Sequence, residues 1–232
     1  MRLLSCLLIL ALLSTVLVPR LLPLLPPGYD PFSPLSVNDP PTFITRYKLK
    51  RLAGNPAACL AALERASAAG RLSFSPVADT TGPCPLLSPV RVRGFGPVGL
   101  SSSFLASCPL ALSSAMFVNQ VAAPLAAGGL GSALARIDHL GSYACRNIYH
   151  RSEGRLSEHA GAQALDVSGF ILADGRRITV LRQWSRQDPA GEYLRLAFSQ
   201  SCGFFGNSLG PGYNAAHANH FHFGMRGFGV CR

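Results

Sequence analysis

Six cysteines stand outside the apolar N-terminal run of this chain: Cys59, Cys84, Cys108, Cys145, Cys202 and Cys231. An even set in an exported chain implies disulfides, so the fold must be one whose loops can be stapled, in an oxidising space outside the cytoplasm. No Cys-x-x-Cys occurs, which argues against a cysteine zinc site. A nucleophilic role for Cys145 would need a spare thiol, and an even set leaves none. The simplest pairing is sequential: Cys59–Cys84, Cys108–Cys145 and Cys202–Cys231. It closes loops of about 25–40 residues, each contributing a few kcal/mol.

Leu3 to Val18 is an uninterrupted apolar or small-residue run behind Arg2, closed by Pro19-Arg20. With the Leu21–Leu25 extension it reaches the roughly 20 residues that a membrane span needs. A cleaved signal peptide is the competitor, but no Ala-x-Ala follows the run. Cys6 comes too early to be a lipoprotein cysteine. Residues 1–25 are therefore expected to be an uncleaved signal anchor. Arg2 opposes Arg20, Arg46, Lys48, Lys50 and Arg51, so basic residues alone set no orientation; the cysteines place the domain outside the cytoplasm. Pro26 to Pro41 is rich in proline and reads as an extended, semi-rigid spacer holding the domain off the bilayer. The folded domain is expected over 42–232.

About 180 residues then remain for one compact domain, enough for a sizeable core. Charged residues are only 14%, with Gly 23 and Pro 18, which suits a loop-rich α+β domain better than a bundle or coiled coil. Lys plus Arg outnumber Asp plus Glu by 21 to 11, and that excess favours anionic partners. The arginines form scattered pairs such as Arg91/Arg93 and Arg176/Arg177, with no aromatic-rich nucleic-acid motif beside them. Nucleic acid is therefore not expected. The oligomeric state stays open.

Asn55 to Ala69 reads as a helix capped by Asn55 with Pro56 at its first position. Pro89 to Gly94 alternates like a strand. Pro109 to Ala127 is a helix buried on most sides, stopped by Gly128-Gly129. Ala133 to Tyr149 alternates around a Gly141-Ser142 bend. Ala164–Leu172 and Arg177–Gln183 flank Asp174-Gly175, a hairpin signal. Gly191 to Cys202 is a further helix and Asn219 to Met225 a short strand. The expected fold is α+β: a small mixed sheet flanked by helices, stapled by disulfides.

The chemistry-bearing pattern is Ser157-Glu-His159-Ala-Gly-Ala-Gln-Ala-Leu-Asp166, followed by His217-Ala-Asn-His220-Phe-His222. These are metal-ligand residue types in two blocks. On a continuous helix His159 and Asp166 would stand about 10 Å apart along the axis, and on a strand more than about 20 Å. Neither brings both within about 2.0–2.2 Å of one zinc. The segment must turn back through Ala160–Gln163 before Asp166 enters a strand. His220 and His222 are two apart on a strand and share a face.

Ser157-x-His159 with Ala164-x-Asp166 and His217-x-x-His220-x-His222 resembles the zinc peptidases of the D-alanyl-D-alanine peptidase and murein endopeptidase superfamily. The superfamily glycine position is Ala162 here, beside Gly161. The wider sequence is similar to the bacterial extensin-like C-terminal domain family. That likeness rests on Asp138-His-Leu-Gly-Ser-Tyr-Ala-Cys-Arg146-Asn, Asp166-Val-Ser-Gly-Phe170, Leu209-Gly-Pro-Gly-Tyr213-Asn-Ala-Ala-His217 and the terminal Val-Cys231-Arg.

The peptidase resemblance implies a zinc-peptidase-like fold and Zn2+ held by His159, Asp166 and His222. It implies His220 as general base or proton shuttle, with His217 hydrogen-bonding the intermediate or orienting its neighbour. Arg146 would bind the carbonyl oxyanion or a substrate carboxylate, and Ser157 would fix the His159 loop. The implied activity is cleavage of peptidoglycan peptides by a domain in the periplasm, held by a single-pass anchor in the cell inner membrane. The alternative is a non-catalytic cell-wall-binding or structural module that retains the metal site. In both, the partner is peptidoglycan or another anionic envelope polymer. Glu158, adjoining a ligand, is a local structural group or a substitute base. Asp138 either bonds near the site or serves a turn.

Overall fold

The computed structural model describes residues 2–227 and 229–232. Within the first helix, α1 (Arg2–Leu21), side chains are described at Leu4, Leu12, Leu13 and from Thr15 onward, so Cys6 lies outside the described residues. Helices α2 (Phe43–Ala53) and α3 (Pro56–Ala68) follow, then strands β1 (Ser73–Pro76), β2 (Val90–Phe95) and β3 (Val98–Ala106). A long helical run comprises α4 (Cys108–Phe117), a π-turn (Val118–Ala122) and α5 (Ala123–Leu130). It leads into β4 (Leu134–Gly141), β5 (Ala164–Leu172) and β6 (Arg177–Thr179). The chain ends with α6 (Val180–Gln183), α7 (Pro189–Ser201), β7 (Asn207–Leu209), β8 (Phe221–Gly224) and β9 (Val230–Cys231).

Among the described residues, nine strands join one mixed sheet in the order β1-β2-β3-β4-β5-β8-β7-β9, with β6 sharing the second edge of β5 with β8. The β3–β4 and β7–β9 pairs are parallel and the rest antiparallel. The fold is α+β with flanking helices, as the residue pattern implies, although the sheet is larger than the sequence signals. Every residue of α4 except Pro109 is buried, so this run is the core helix. Cys108–Leu130 is 23 residues long and apolar enough to cross a membrane, yet it is 67% buried by the rest of the fold.

One face of β8 explains the core. Phe221 and Phe223 point inward, with Phe117 and Phe205 against Phe223 and Trp184 and Phe198 against Phe221. Strand alternation then sends His222 to the opposite face.

Several expectations need correction. The disulfides are Cys59–Cys108, Cys84–Cys145 and Cys202–Cys231, so only the last of the sequential pairs is present. The α3–α4 packing brings Cys59 to Cys108, and the Tyr143 hydroxyl donating to the Cys84 carbonyl ties together the two loops that share the second bond. The core helix runs through Gly128-Gly129 and ends at Leu130, because Gly131 is the residue that turns left-handed, at φ 65°. The partner of β5 stops at Thr179: the Gln183 side chain accepts from both the Thr179 amide and hydroxyl, closing a helical turn over 180–183. The proline-rich segment does not stand free of the domain. Leu35 and Val37 are buried in the core, and Gln120 Nε2 donates to the carbonyls of Val37 and Asp39 at 2.7 and 3.0 Å.

Candidate metal centre

His159 sits in a single 3-10 turn, Glu158–Gly161, capped by Ser157, whose hydroxyl accepts from the His159 amide at 3.3 Å. The turn closes at Ala162, which adopts φ 49° and ψ 38° and reverses the chain into β5. This is the fold-back that the spacing requires. Asp166 and His222 are directly opposite one another in the β5–β8 register. Asp166 Oδ1 lies 2.9 Å from His222 Nδ1 and its Oδ2 lies 3.2 Å from His159 Nε2. One ligand atom from each of His159, Asp166 and His222 falls within 4.8 Å of the others. Two imidazoles and a carboxylate around one point fit a divalent cation such as zinc, which takes mixed nitrogen and oxygen ligands.

The environment fixes which nitrogen each histidine presents. His159 Nδ1–H donates to the Ser142 carbonyl at 3.1 Å, leaving Nε2 directed at Asp166. His222 is held from behind: Nε2–H points at Glu158 Oε2, 3.4 Å away, leaving Nδ1 for the cluster. His217 Nδ1–H donates to Asn214 Oδ1 at 2.7 Å, and His220 Nδ1–H to Asn219 Oδ1 at 2.8 Å. His220 Nε2 then stands 3.6 Å from Asp166 Oδ1. The His217 ring lies 5.2 Å from that of His220 and 5.9 Å from that of His222. Orienting the far nitrogen of an imidazole in this way is how proteins set a ligand's tautomer.

Charge is sorted within the cluster. Burial would raise the Asp166 carboxyl, but hydrogen bonds from His159 and His222 hold it well below the ordinary carboxylate range. Burial would lower His222, yet its bonds to Asp166 and Glu158 raise it to about 9. His217 is lowered to about 4 by burial and by the neighbouring His220 and His222. His220 is lowered by burial, against the pull of Asp166. Two imidazoles lowered toward the neutral form therefore flank one that holds its proton tightly, a proton that a metal bound there would have to displace.

The structure brings His159, Asp166, His222, His220 and His217 together. Arg146 lies close by along the chain: the Ser157 amide donates to its carbonyl, and Ala144 N–H donates to the His159 carbonyl. Its guanidinium makes no hydrogen bond or ion pair among the described residues. Asp138 pairs with Arg136 and Arg177 at 2.9 and 2.8 Å, a sheet-surface role. Glu158 does not serve as a base in this geometry. Its Oε1 accepts from the Arg226 amide at 2.6 Å and its Oε2 from Asn207 Nδ2 at 2.9 Å, besides His222. Gly224 makes room for it, since a Cβ there would stand 2.5 Å from Glu158 Oε2.

Sequence reasoning missed the orienting groups Ser142, Asn214 and Asn219. Asn219 adjoins His220 and Asn214 precedes His217 by three residues, a signal visible only once the histidines are given roles. A cleft of about 510 Å3 runs past Gly161 and Gln163 between Leu49, Leu86, Phe205 and Met225, and takes in none of the four histidines. No curated protein and no solved structure matches the chain. The family model of the extensin-like protein C-terminus matches residues 57–232, spanning the cluster and all three disulfides, and the chain belongs to that family.

Proposed function

We propose that this chain is a zinc-dependent peptidase of the cell envelope that cuts peptide bonds in peptidoglycan, with His159, Asp166 and His222 as the metal ligands. The observation that carries it is the set of four imidazoles, each hydrogen-bonded on its far nitrogen, around one half-buried carboxylate. Ala162 supports the reading, because its left-handed conformation stands where the peptidase pattern carries glycine. Zinc in such a site supplies a Lewis acid with an open position, able to polarise a carbonyl and acidify water.

The remaining work belongs to side chains. His220, kept neutral by burial with its Nε2 lone pair free, takes a proton from the attacking water and passes it to the leaving amine nitrogen. His217 lines the same side and orients His220 across the 5.2 Å between their rings. The Arg146 guanidinium binds the carbonyl oxygen as it gains charge, or a substrate carboxylate. Residues 1–25 anchor the chain in the inner membrane and the domain faces the periplasm, a location that suits three disulfides. A formal charge of +10 suits an anionic polymer.

The second reading is a non-catalytic wall-binding module, favoured by the Arg146 guanidinium having no partner among the described residues to aim it. The purified full chain, incubated with whole peptidoglycan with and without chelator, separates the two. Release of muropeptides that stops with chelator and returns with zinc supports the enzyme. Unchanged product profiles from protein carrying stoichiometric zinc would support the binding module instead.

A further inference from the structure

Helix α2 shows an outward face of unusual composition. Phe43, Arg46, Tyr47 and Lys50 are all exposed and recur at i, i+3, i+4 and i+7, while Thr45, Lys48 and Leu49 form the buried side. Phe43 is 71% and Tyr47 50% exposed, and the Arg51 guanidinium lies 5.8 Å over the Tyr47 ring. Arg46 and Lys50 belong on a solvent face, but Phe43 and Tyr47, one turn apart, place two aromatic rings beside them there. Tyr29 meets Phe43 edge-on at 6.2 Å, and Phe32, three residues further along the chain, is 75% exposed. No acidic residue occurs from Pro40 to Leu63.

The path of the chain limits where this face can go. Thr42 Oγ1 donates to the Gly28 carbonyl at 2.5 Å, Lys48 Nζ to Ser33 Oγ at 2.8 Å, and Leu35 and Val37 are buried. The chain is thus tied to α2 from Gly28 onward. Pro26 and Pro27 alone separate Gly28 from Leu25, the end of the apolar segment, and three steps at roughly 3.3–3.6 Å per residue span about 11 Å at most. A domain on so short a tether cannot stand off a bilayer that holds the apolar helix.

We propose that the exposed face of α2, with Tyr29 and Phe32, rests in the headgroup layer of an anionic bilayer and seats the domain flat on the membrane. This rests on the reading of residues 1–25 as a membrane anchor. The aromatic rings sit at the depth that interfacial aromatics occupy, and the arginines and Lys50 meet lipid phosphates. Anionic lipid is the occupant because the α2 face itself carries cations and aromatics, with the nearby Asp30 carboxylate engaged by the Phe32 amide at 2.9 Å, and because the apolar helix ends beside it.

The test uses the full chain in lipid nanodiscs. F43W places a second indole on the face, and the increment over wild type removes the Trp184 signal. In discs containing phosphatidylglycerol, lipids brominated near the headgroup should quench that increment. At about fivefold per cation, R46E/R51E in the F43W background should shift the docked equilibrium by at least about 25-fold and abolish the quenching. An unquenched increment in protein that copurifies with the discs overturns the inference while leaving the anchor intact. Equal quenching in purely phosphatidylcholine discs overturns the anionic assignment. Protein that enters no disc overturns the anchor reading and this inference with it.

Discussion

Glu158→Gln isolates the orientation of His222 from its presence. The carboxylate accepts three hydrogens on two oxygens: the Arg226 amide at 2.6 Å on Oε1, and Asn207 Nδ2 at 2.9 Å and His222 Nε2 at 3.4 Å on Oε2. Glutamine has the same shape but one acceptor. With its oxygen toward Arg226, its amide hydrogens face Asn207 and His222; reversed, they face the Arg226 amide. Either way at least one buried donor is orphaned, costing about 1–3 kcal/mol of stability. In the first arrangement the imidazole must present a lone pair at Nε2 and carry its proton on Nδ1, the nitrogen needed for the metal. Loss of such an orienting partner weakens metal affinity about 10–100-fold. Competition for zinc with a chromophoric chelator reads the affinity, and denaturant unfolding in excess chelator reads the metal-free stability. Unchanged zinc affinity alongside lowered stability would refute the argument that Glu158 sets the His222 tautomer. A loss beyond about 10,000-fold would refute it differently, by marking Glu158 as a ligand.

His220→Gln should keep zinc stoichiometry while lowering turnover on peptidoglycan by about 100–10,000-fold, the usual contribution of a positioned general base; retained turnover would remove His220 from the chemistry. Paired Cys84→Ser and Cys145→Ser should cost about 4 kcal/mol in unfolding free energy by the chain-entropy estimate. Because this bond holds the loop that presents the Ser142 carbonyl to His159, zinc affinity should fall with it. The pH dependence of the metal-free protein follows from His222 and Asp166. His222 is raised to about 9, so its contribution is complete below about 6.5, the ordinary histidine value, and is lost as pH climbs through 9. Asp166 is lowered, so its contribution holds above the ordinary carboxylate range and is lost in acid. Chelated protein should therefore unfold at lower denaturant at pH 9.5 than at pH 6, and His222→Gln should flatten that alkaline decline. Zinc affinity should rise from pH 6 to pH 9 as the Nδ1 proton becomes easier to displace.

What was legible in the sequence is what local periodicity controls. The two-residue repeat of β8 puts Phe221 and Phe223 in the core and His222 on the other face, and the need for a turn between His159 and Asp166 follows from helix and strand geometry alone. What was not legible depends on partners distant along the chain. Cys59 bonds Cys108, 49 residues away, because α3 packs on the start of α4; loop length ranks pairings only when nothing else holds the ends together. Glu158 shows the same limit inside the site. Its neighbour in sequence is one proposed ligand, His159, but its carboxylate serves the other proposed imidazole ligand, His222, by reaching across to β8 and lying against Gly224. Prolines in the segment before Thr42 suggest an extended spacer, yet the chain turns at Pro26–Tyr29 and Ser36–Asp39 and comes back so that the Thr42 hydroxyl reaches the Gly28 carbonyl. Leu35 and Val37, two apart and both apolar, are the signal that this stretch packs rather than spaces. With residues 1–25 as the proposed anchor, that difference would decide how the domain meets a bilayer: a chain tied down from Gly28 leaves α2 close to the end of the apolar helix, with its aromatic and cationic face as the proposed contact.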